Sequence, residues 1–240
     1  MNFRIEKVGL IVNRKKAGAV ALARKLHAWL KKRGKVVLAD GRDAARRILA
    51  QADLIVCLGG DGTILNVADR LRRSVPVVGI NLGRLGFLTT VRREETFSEL
   101  DAILSGSSTV EERIMLEAKL RTAKGTQIFR GLNDVVIDRA GLTRYLHIEV
   151  RAGGEDLMSF SGDGVIIATP TGSSAYSLSA GGPFVYPTLD NFVVTPLCAH
   201  ALLVRPVVLP TEKVIHVALH AAKQEGNATF TIDGQTRKVI

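Results

Sequence analysis

Hydrophobic and polar positions alternate between strand-like and helix-like periods over the first hundred residues. A strand-like run within Arg4–Asn13 is followed by the helix-period segment Ala17–Arg33, and Gly34 marks its end. The other elements predicted here are strands at Lys35–Leu38, Asp53–Leu58 and Val75–Ile80, and helices at Arg42–Ala50, Thr63–Arg73 and Glu94–Leu104. Strands that alternate with helices through short connections predict a doubly wound parallel sheet.

Beyond residue 108 the pattern changes to short apolar strands that are separated by Gly, Pro and polar clusters. The predicted strands are Leu116–Leu120, Gln127–Phe129, Asp134–Asp138, Leu146–Arg151, Gly164–Ala168, Ala201–Val204 and Val214–Leu219. Long helical periods are scarce in this half. We therefore predict an α/β domain over residues 1–108 and a β-rich domain over residues 109–240.

The formal net charge of +10 is concentrated at the start of the chain. Residues 1–50 contain 14 Lys and Arg against 3 Asp and Glu, and the rest of the chain is close to neutral. A basic face can attract nucleic acid, but no nucleic-acid-binding motif accompanies it and aromatic residues make up only 5% of the chain. We therefore expect a solvated basic helix surface and no nucleic-acid partner.

The sequence contains no apolar run of roughly eighteen residues, and its start lacks the apolar core of a signal peptide. Its two cysteines, Cys57 and Cys198, form no CxxC motif, so we expect a cytoplasmic protein without a membrane partner. Cys57 lies in an apolar strand and is expected to be an inert core thiol. The five histidines lack the spacing of zinc ligands, so no protein metal site is predicted.

The first candidate for chemistry is the loop Gly59-Gly60-Asp61-Gly62-Thr63, in which glycines surround one carboxylate between a buried strand and a helix. Glycines allow close approach to a phosphate, and the helix N-terminus offers free N–H groups. The alternative is an ordinary strand–helix turn with Asp61 as the N-cap. The chain contains neither GxxxxGK[ST] nor a GxGxxG after its first strand, so a P-loop and a standard Rossmann dinucleotide site are unsupported.

Two further segments combine polar groups with an adjoining strand. Asn81–Leu88 carries two glycines and Arg84 and could line a ligand crevice, although we expect Phe87 to lie in the core. The pair Asn133 and Asp134 could grip a ribose diol through donor and acceptor groups, or could simply form a turn that opens a strand.

The most informative segment is Ser161–Pro183, which is rich in hydroxyl groups and glycines and contains one aromatic residue, Tyr176. This composition suits a polar ligand better than a core. A flexible linker is the alternative, but the apolar strand before the segment argues against it.

Together these segments resemble the ordered motifs of the ATP-NAD kinase family. Thr195–His200, Arg205–Leu209 and Asp233-Gly234-Gln235 resemble that family as well, and the resemblance runs from about residue 8 to residue 235. The glycine–aspartate loop also resembles those of diacylglycerol kinases, sphingosine kinases and 6-phosphofructokinases. The stretch Thr169–Pro183 is far more specific.

The resemblance implies a Rossmann-like α/β N-terminal domain with a parallel sheet and a β-rich, β-sandwich-like C-terminal domain. It implies phosphoryl transfer from ATP or polyphosphate to the adenosine 2′-hydroxyl of NAD, giving NADP, with Mg²⁺ as the cofactor. It also implies a homodimer or homotetramer. A lipid kinase that shares the glycine–aspartate loop is the alternative enzyme, and a non-catalytic NAD(H) sensor is the alternative from another class.

The resemblance also assigns residues. Asp61 matches the catalytic aspartate, which accepts the proton of the 2′-hydroxyl. The substrate- and nucleotide-binding positions that it implies are Gly62, Asn133, Asp134, Arg144, Ser161, Asp163, Ser174, Ala175, Tyr176, Ser177, Leu178, Ser179 and Gln235. Some members carry Arg at the position of Ser161, which leaves the choice between ATP and polyphosphate open. The sequence stops at Ile240, where relatives usually continue, so we expect a short form or a missing tail.

Overall fold

The computed structural model describes residues 4–39, 44–84, 86–123, 125–141, 145–220 and 228–240. The chain divides into two compact units, Met1–Glu111 and Glu112–Ile240. No helix in the described ranges is both long and apolar enough to cross a membrane.

The first unit is built on a five-stranded parallel sheet with the strand order β2-β1-β3-β4-β5. Its strands are β1 (Lys7–Val12), β2 (Val36–Leu38), β3 (Leu54–Gly59), β4 (Val77–Asn81) and β5 (Val91–Arg92). Its helices are α1 (Ala19–Lys32), α2 (Ala44–Gln51), α3 (Asp61–Arg70) and α4 (Thr96–Leu104), with a 3-10 turn at Arg93–Glu95. The predicted α/β class with a parallel sheet is confirmed.

The apolar pattern explains the elements of this unit. All six residues of β3 are buried, which is typical of a central parallel strand covered on both faces. Leu26 and Leu30 of α1 pack with Val8 of β1 in the core of the unit. Helix α1 ends where predicted, because Gly34 adopts a left-handed φ of 71° and donates its N–H to the carbonyl of Lys31.

The second unit consists of antiparallel strands. They are β6 (Leu116–Thr122), β7 (Gly125–Gly131), β8 (Asp134–Arg139), β9 (Leu146–Ala152), β10 (Glu155–Gly162), β11 (Gly164–Ala168), β12 (Asn191–Leu197), β13 (Val207–Pro210), β14 (Ile215–His220), β15 (Ala228–Ile232) and β16 (Thr236–Val239). A six-stranded sheet has the order β13-β12-β11-β8-β15-β16, a three-stranded sheet has the order β10-β9-β14, and β6 pairs with β7. One short helix, α5 (Tyr176–Ser179), follows a 3-10 turn at Gly172–Ser174.

The two larger sheets of this unit share one core. Val135 and Ile137 of β8 and Phe230 of β15 belong to the same buried cluster as Ile148 of β9 and Phe160 of β10. Alternate residues of the six-stranded sheet, such as Val136, face a second cluster on its other side. The predicted β-rich, sandwich-like class of the C-terminal half is confirmed.

One predicted strand is wrong. Ala201–Val204 forms a turn in which Leu202 and Leu203 are 90% and 94% exposed, and the strand begins only at Val207. A run of consecutive apolar residues does not by itself define a strand face, and Pro206 cannot donate a backbone hydrogen bond to a sheet. The sequence pattern also misses β10, β12, β15 and β16. Of these, β12 and β15 pair with strands that are distant in sequence, whereas β10 and β16 form hairpins with the strands that precede them.

Candidate active site

The carboxylate of Asp61 is held in a backbone loop that follows β4. Asp61 is the first residue of α3, and the N-cap is the extended Gly60. The N–H of Phe87 donates to Asp61 Oδ2 at 2.9 Å, and the N–H groups of Leu88 and Thr89 donate to Oδ1 at 3.2 and 2.9 Å. The Thr89 hydroxyl adds a bond to Oδ1 at 2.8 Å. Asp61 is therefore not the N-cap of an ordinary turn. Its carboxylate instead accepts hydrogen bonds from a second loop, Phe87–Thr89.

The loop that holds Asp61 is itself fixed from β4. The side-chain amide of Asn81 donates to the hydroxyl of buried Thr89 and to the carbonyl of Arg84, both at 2.8 Å. A Cβ at Gly86 would lie 2.2 Å from Asp61 Oδ1, so only glycine permits this approach. Within the described residues Oδ1 accepts three bonds and Oδ2 accepts one. Oδ2 therefore keeps a lone pair for a further donor.

The expected core position of Phe87 is wrong, because its side chain is 62% exposed. Its backbone N–H is turned to Asp61. Thr63 ends the glycine–aspartate loop in the first turn of α3, and its hydroxyl is buried without a hydrogen-bond partner among the described residues. Gly62 is exposed in the same turn.

In the second unit, Asn133 and Asp134 are held at the start of β8 by the carboxylate of Asp233. The N–H groups of Leu132 and Asn133 donate to it at 2.8 Å, and the N–H of Asp134 donates at 3.1 Å. In return, the Asp233 N–H donates to the Asp134 carbonyl at 3.0 Å. Asp233 itself adopts a left-handed φ of 49°. This exchange fixes the backbone from which both candidate side chains project.

Asp134 is a buried carboxyl group. Burial, together with the negative charge of Asp233, raises the pKa of Asp134 to about 7. A carboxyl group that titrates near neutral pH is a common feature of functional sites. It can accept hydrogen bonds from two hydroxyl groups when ionised, or donate one when protonated.

The segment after β11 is ordered against this pair, so it is not a linker. The N–H of Thr169 donates to the Asn133 carbonyl at 2.8 Å, and the Thr169 hydroxyl donates to the carbonyl of Leu132. A Cβ at Gly172 would lie 2.0 Å from the Asn133 carbonyl oxygen, so glycine is required there. Farther along, the buried Ser177 hydroxyl bonds to that of Thr195 at 2.8 Å.

Comparison with known proteins shows the family of the chain. Residues 40–108 match the N-terminal domain family of ATP-NAD kinase, and residues 132–239 match its C-terminal domain family. The chain belongs to the ATP-NAD kinase family. It is 40% identical over 244 residues to an NAD kinase from Chlorobium phaeobacteroides, covering 98% of this chain and 85% of the relative. It is 41% identical over 242 residues to an NAD kinase from Heliobacterium modesticaldum, covering 95% and 84%.

Solved structures of this family agree with the fold. The crystal structure of yeast NADH kinase complexed with NADH aligns with a TM-score of 0.84 and 26% identity, covering 96% of this chain and 74% of that chain. The structure of an NAD kinase from Archaeoglobus fulgidus in complex with ATP aligns with a TM-score of 0.77 and 27% identity, covering 97% and 86%.

Two of the other positions implied by the family are Tyr176 and Asp163. Burial raises the pKa of Tyr176, and negative charge on Asp138, Cys198, Asp163 and Asp134 contributes in the same direction. Asp163 lies between β10 and β11, with Oδ1 2.7 Å from Arg139 Nε.

The remaining positions differ in exposure. Ser174 is half-buried, and its hydroxyl donates to the Thr171 carbonyl at 3.1 Å. Ser161 is in β10, with its hydroxyl 3.3 Å from His147 Nδ1. Ala175 is half-buried, whereas Leu178, Ser179 and Gln235 are exposed. Arg144 lies outside the described residues.

Sequence reasoning missed the residues that hold the site together. Asp233 belongs to a motif, Asp233-Gly234-Gln235, that the sequence shares with the family. Its role in holding Asn133 and Asp134 becomes visible only when β15 pairs with β8. Asn81, Thr89 and Thr169 are ordinary polar residues in sequence, and only their burial and hydrogen bonds show that they position Asp61 and Asn133. A buried polar residue beside a glycine loop is the signal that could have found them.

Proposed function

We propose that this protein is a kinase that transfers a phosphoryl group to the adenosine 2′-hydroxyl of NAD and releases NADP. One observation carries this proposal in a member of the ATP-NAD kinase family. The Phe87–Thr89 loop holds the Asp61 carboxylate by hydrogen bonds and leaves a lone pair on Oδ2. ATP and NADH in the two related structures support a nucleotide donor and a dinucleotide acceptor.

Asp61 acts as the general base in this proposal. The ribose oxygen attacks the terminal phosphorus of the donor, the bond from phosphorus to the leaving oxygen breaks, and the hydroxyl proton passes to Asp61 Oδ2. The four bonds from the Phe87–Thr89 loop keep the carboxylate in one orientation. This orientation avoids the entropy loss of ordering a free side chain in the transition state.

Asn133 and Asp134 bind the dinucleotide in this proposal. Their backbone is fixed by Asp233 and Thr169, so the amide and carboxyl groups meet the ligand already positioned. Ser174 to Ser179, with Asp163, Ser161 and Gln235, complete the polar surface that we assign to substrate. The exposed hydroxyl of Ser179 provides an uncharged donor, and exposed Tyr176 provides a stacking face.

The described residues contain no cluster of three His, Cys, Asp or Glu side chains that could hold a metal ion. A Mg²⁺ ion in a kinase site needs few protein ligands, because it is carried mainly by the phosphates of the phosphoryl donor. Asp61 is the carboxylate of the glycine loop that would face such an ion. When bound, Mg²⁺ neutralises charge that develops on the phosphates.

The proposal is tested by measuring NADP formation with the purified chain, NAD and Mg²⁺, with ATP and with polyphosphate in separate reactions. We expect NADP with ATP, and the second reaction reports whether polyphosphate is also a donor. A folded protein that forms no NADP with either donor would refute the proposed reaction.

We also propose that the enzyme acts in the cytoplasm and that it is a homodimer or homotetramer. Size-exclusion chromatography with light scattering would test the oligomeric state.

Asn133→Ala is expected to raise the KM for NAD about tenfold and to change kcat by less than about twofold. The lost amide hydrogen bonds are worth roughly 1.4 kcal/mol, which corresponds to a factor of ten. Steady-state kinetics with NAD as the varied substrate checks this. Gln127→Ala removes an exposed amide of β7 in the same unit and serves as the control. An unchanged KM in Asn133→Ala would place the dinucleotide elsewhere.

The raised pKa of Asp134 predicts a pH-dependent stability. The pKa of Asp134 is about 7 in the folded state, and its ordinary value is 3.8. At a pH between these two values the folded state therefore holds a proton that the unfolded state has lost. This contribution stabilises the fold at low pH and is lost as the pH rises through about 7. The free energy of unfolding should fall by up to roughly 1.4 kcal/mol per pH unit.

Thermal or urea unfolding between about pH 4.5 and pH 7.5 measures this dependence. Asp134→Asn is neutral throughout and should lack this part of the slope, while the histidines and other carboxyl groups titrate equally in both proteins. Identical pH profiles for the two proteins would show that Asp134 is ionised in the folded state.

A further inference from the structure

Asp163, one of the positions assigned to substrate, lies at a bend between β10 and β11 that two neighbouring strands clamp. Its carbonyl accepts the N–H of Arg139, the last residue of β8, and its own N–H donates to the carbonyl of Leu197 in β12, both at 2.9 Å. The strands approach so closely that a Cβ at Gly164 would collide with the carbonyl oxygen of Ile137. The sheet itself therefore fixes the backbone of Asp163.

The side chain of Asp163 is held by Arg139 as well. Arg139 Nε lies 2.7 Å from Asp163 Oδ1, in an ion pair whose side chains are 34% and 30% exposed. Oδ1 itself is buried. A buried anionic oxygen is costly unless a positive charge lies beside it, so Arg139 commits this oxygen to the protein and fixes the direction of the carboxylate. Oδ2 is then the oxygen left to meet a ligand.

The ion pair is not needed to fasten the bend to β8. The backbone hydrogen bond from Arg139 to Asp163 already does so. The pair instead sets the charge at this position. The pyrophosphate of NAD is negative, and an unpaired carboxylate beside it would repel the ligand. With the guanidinium of Arg139 next to it, Asp163 can accept a hydrogen bond from the dinucleotide while its charge is offset.

An exposed thiol adjoins the same carboxylate. Cys198 follows β12 with a left-handed φ of 46°. A hydrogen bond to Asp163, together with the charge of Asp163 and burial, raises the pKa of the Cys198 thiol, while the charge of Arg139 acts in the opposite direction. Cys57 is the other cysteine of the chain, and burial raises the pKa of its thiol to about 12. Cys198 is therefore the thiol that a reagent reaches, and it lies where it reports on Asp163.

We propose that Arg139 is a positioning residue for dinucleotide binding, which acts through Asp163 by orienting its carboxylate and offsetting its charge. The inference rests on the proposed kinase function, and in particular on the assignment of Asp163 to the dinucleotide. Because Asp61 is the base in that function, loss of Arg139 should weaken the binding of NAD and leave the chemical step unchanged. The KM for NAD should rise in Arg139→Ala, while kcat should change by less than about twofold.

A double-mutant cycle on Arg139 and Asp163 tests the proposal, with the Kd for NAD measured by calorimetry without a phosphoryl donor. Arg139→Ala should weaken NAD binding about fivefold, the upper range for a partly exposed ion pair. Arg139→Lys should recover only part of this loss, because an ammonium group does not reproduce the planar guanidinium. In the Asp163→Ala background, Arg139→Ala should cause no further loss. Unchanged binding in Arg139→Ala, or an equal further loss in the double variant, would overturn the proposal.

Arg130→Ala is the matched control. It breaks the half-exposed ion pair between Arg130 and Glu117, which joins β7 to β6 in the same unit. We expect it to leave the Kd for NAD unchanged, and circular dichroism establishes that all variants are folded. A loss of NAD binding in Arg130→Ala equal to that in Arg139→Ala would show a general effect of lost ion pairs and overturn the positioning role.

Alkylation of Cys198 by a maleimide separates failure of this proposal from failure of the proposed function. NAD should slow the reaction in the unchanged protein, and Arg139→Ala should need about fivefold more NAD for the same protection. Equal protection in both proteins would overturn the positioning role and leave the kinase function in place. NAD that binds without protecting Cys198 would place the dinucleotide away from Asp163, with the same consequence. An unchanged protein that neither binds NAD nor forms NADP would refute the kinase function itself, and the positioning role with it.

Discussion

Asp61→Asn should lower kcat for NADP formation by about 10²-fold or more, the range for loss of a positioned general base. The amide cannot accept the hydroxyl proton. In addition, the asparagine NH₂ group would replace one of the two carboxylate oxygens. It would then face the N–H of Phe87, or the N–H groups of Leu88 and Thr89, which in the unchanged protein donate to the carboxylate. Initial-rate kinetics at saturating NAD and donor measure the effect, and circular dichroism establishes that the variant is folded.

Asp69→Asn is the matched control for this prediction. It makes the same chemical change on an exposed residue near the end of the same helix, and we expect it to keep normal turnover. Thr89→Val adds a graded comparison, because it removes one of the bonds to Asp61 Oδ1 and leaves the carboxylate in place. Near-normal kcat in Asp61→Asn would remove Asp61 from the role of base.

Asp233→Ala should destabilise the second unit by about 3 kcal/mol and raise the KM for NAD. The substitution leaves the N–H groups of Leu132, Asn133 and Asp134 without their acceptor, and an unsatisfied buried donor costs roughly 1–3 kcal/mol. Alanine also tolerates the left-handed backbone at this position less well than aspartate does. Denaturant unfolding and kinetics with varied NAD measure the two effects.

Asp233→Asn separates the positioning role from simple loss of stability. Asparagine keeps one acceptor oxygen and tolerates the left-handed backbone, so the KM for NAD should lie between those of wild type and Asp233→Ala. Asp156→Ala is the control, because Asp156 makes an ion pair with Arg151 while its side chain is 88% exposed, and such pairs contribute less than about 1 kcal/mol. A KM for NAD that stays normal in Asp233→Ala would contradict the positioning role.

The fold was most predictable where burial left a local pattern. The continuous apolar run of β3 and the helix-period segment ending at Gly34 predicted a central parallel strand and α1, because both patterns reflect nearby contacts. The strand β15 was missed because its register depends on β8, which lies far earlier in the chain, and β16 in turn pairs with β15. The run at Ala201–Val204 was misassigned because hydrophobicity does not reveal that a segment lies in an exposed turn.

The candidate site was predictable where chemistry and backbone conformation coincide in one short segment. The glycines around Asp61 identified the loop, and the structure shows why Gly59 and Gly86 have no side chain. The partners of Asp61 and of Asn133 lie in loops that are distant in sequence, so no local pattern reveals them. The basic residues before and within α1 were expected to form a solvated face, and Arg14, Lys15, Lys16 and Arg24 are exposed.

The most direct test of the account is a competition assay with donor labelled in its terminal phosphate, NAD and a lipid acceptor such as diacylglycerol in one reaction. The account predicts that the label appears in NADP, with the phosphate on the adenosine 2′-oxygen, and that the lipid stays unlabelled. Label in the lipid, with none in the dinucleotide, would contradict the account and identify the glycine–aspartate loop of this protein as that of a lipid kinase.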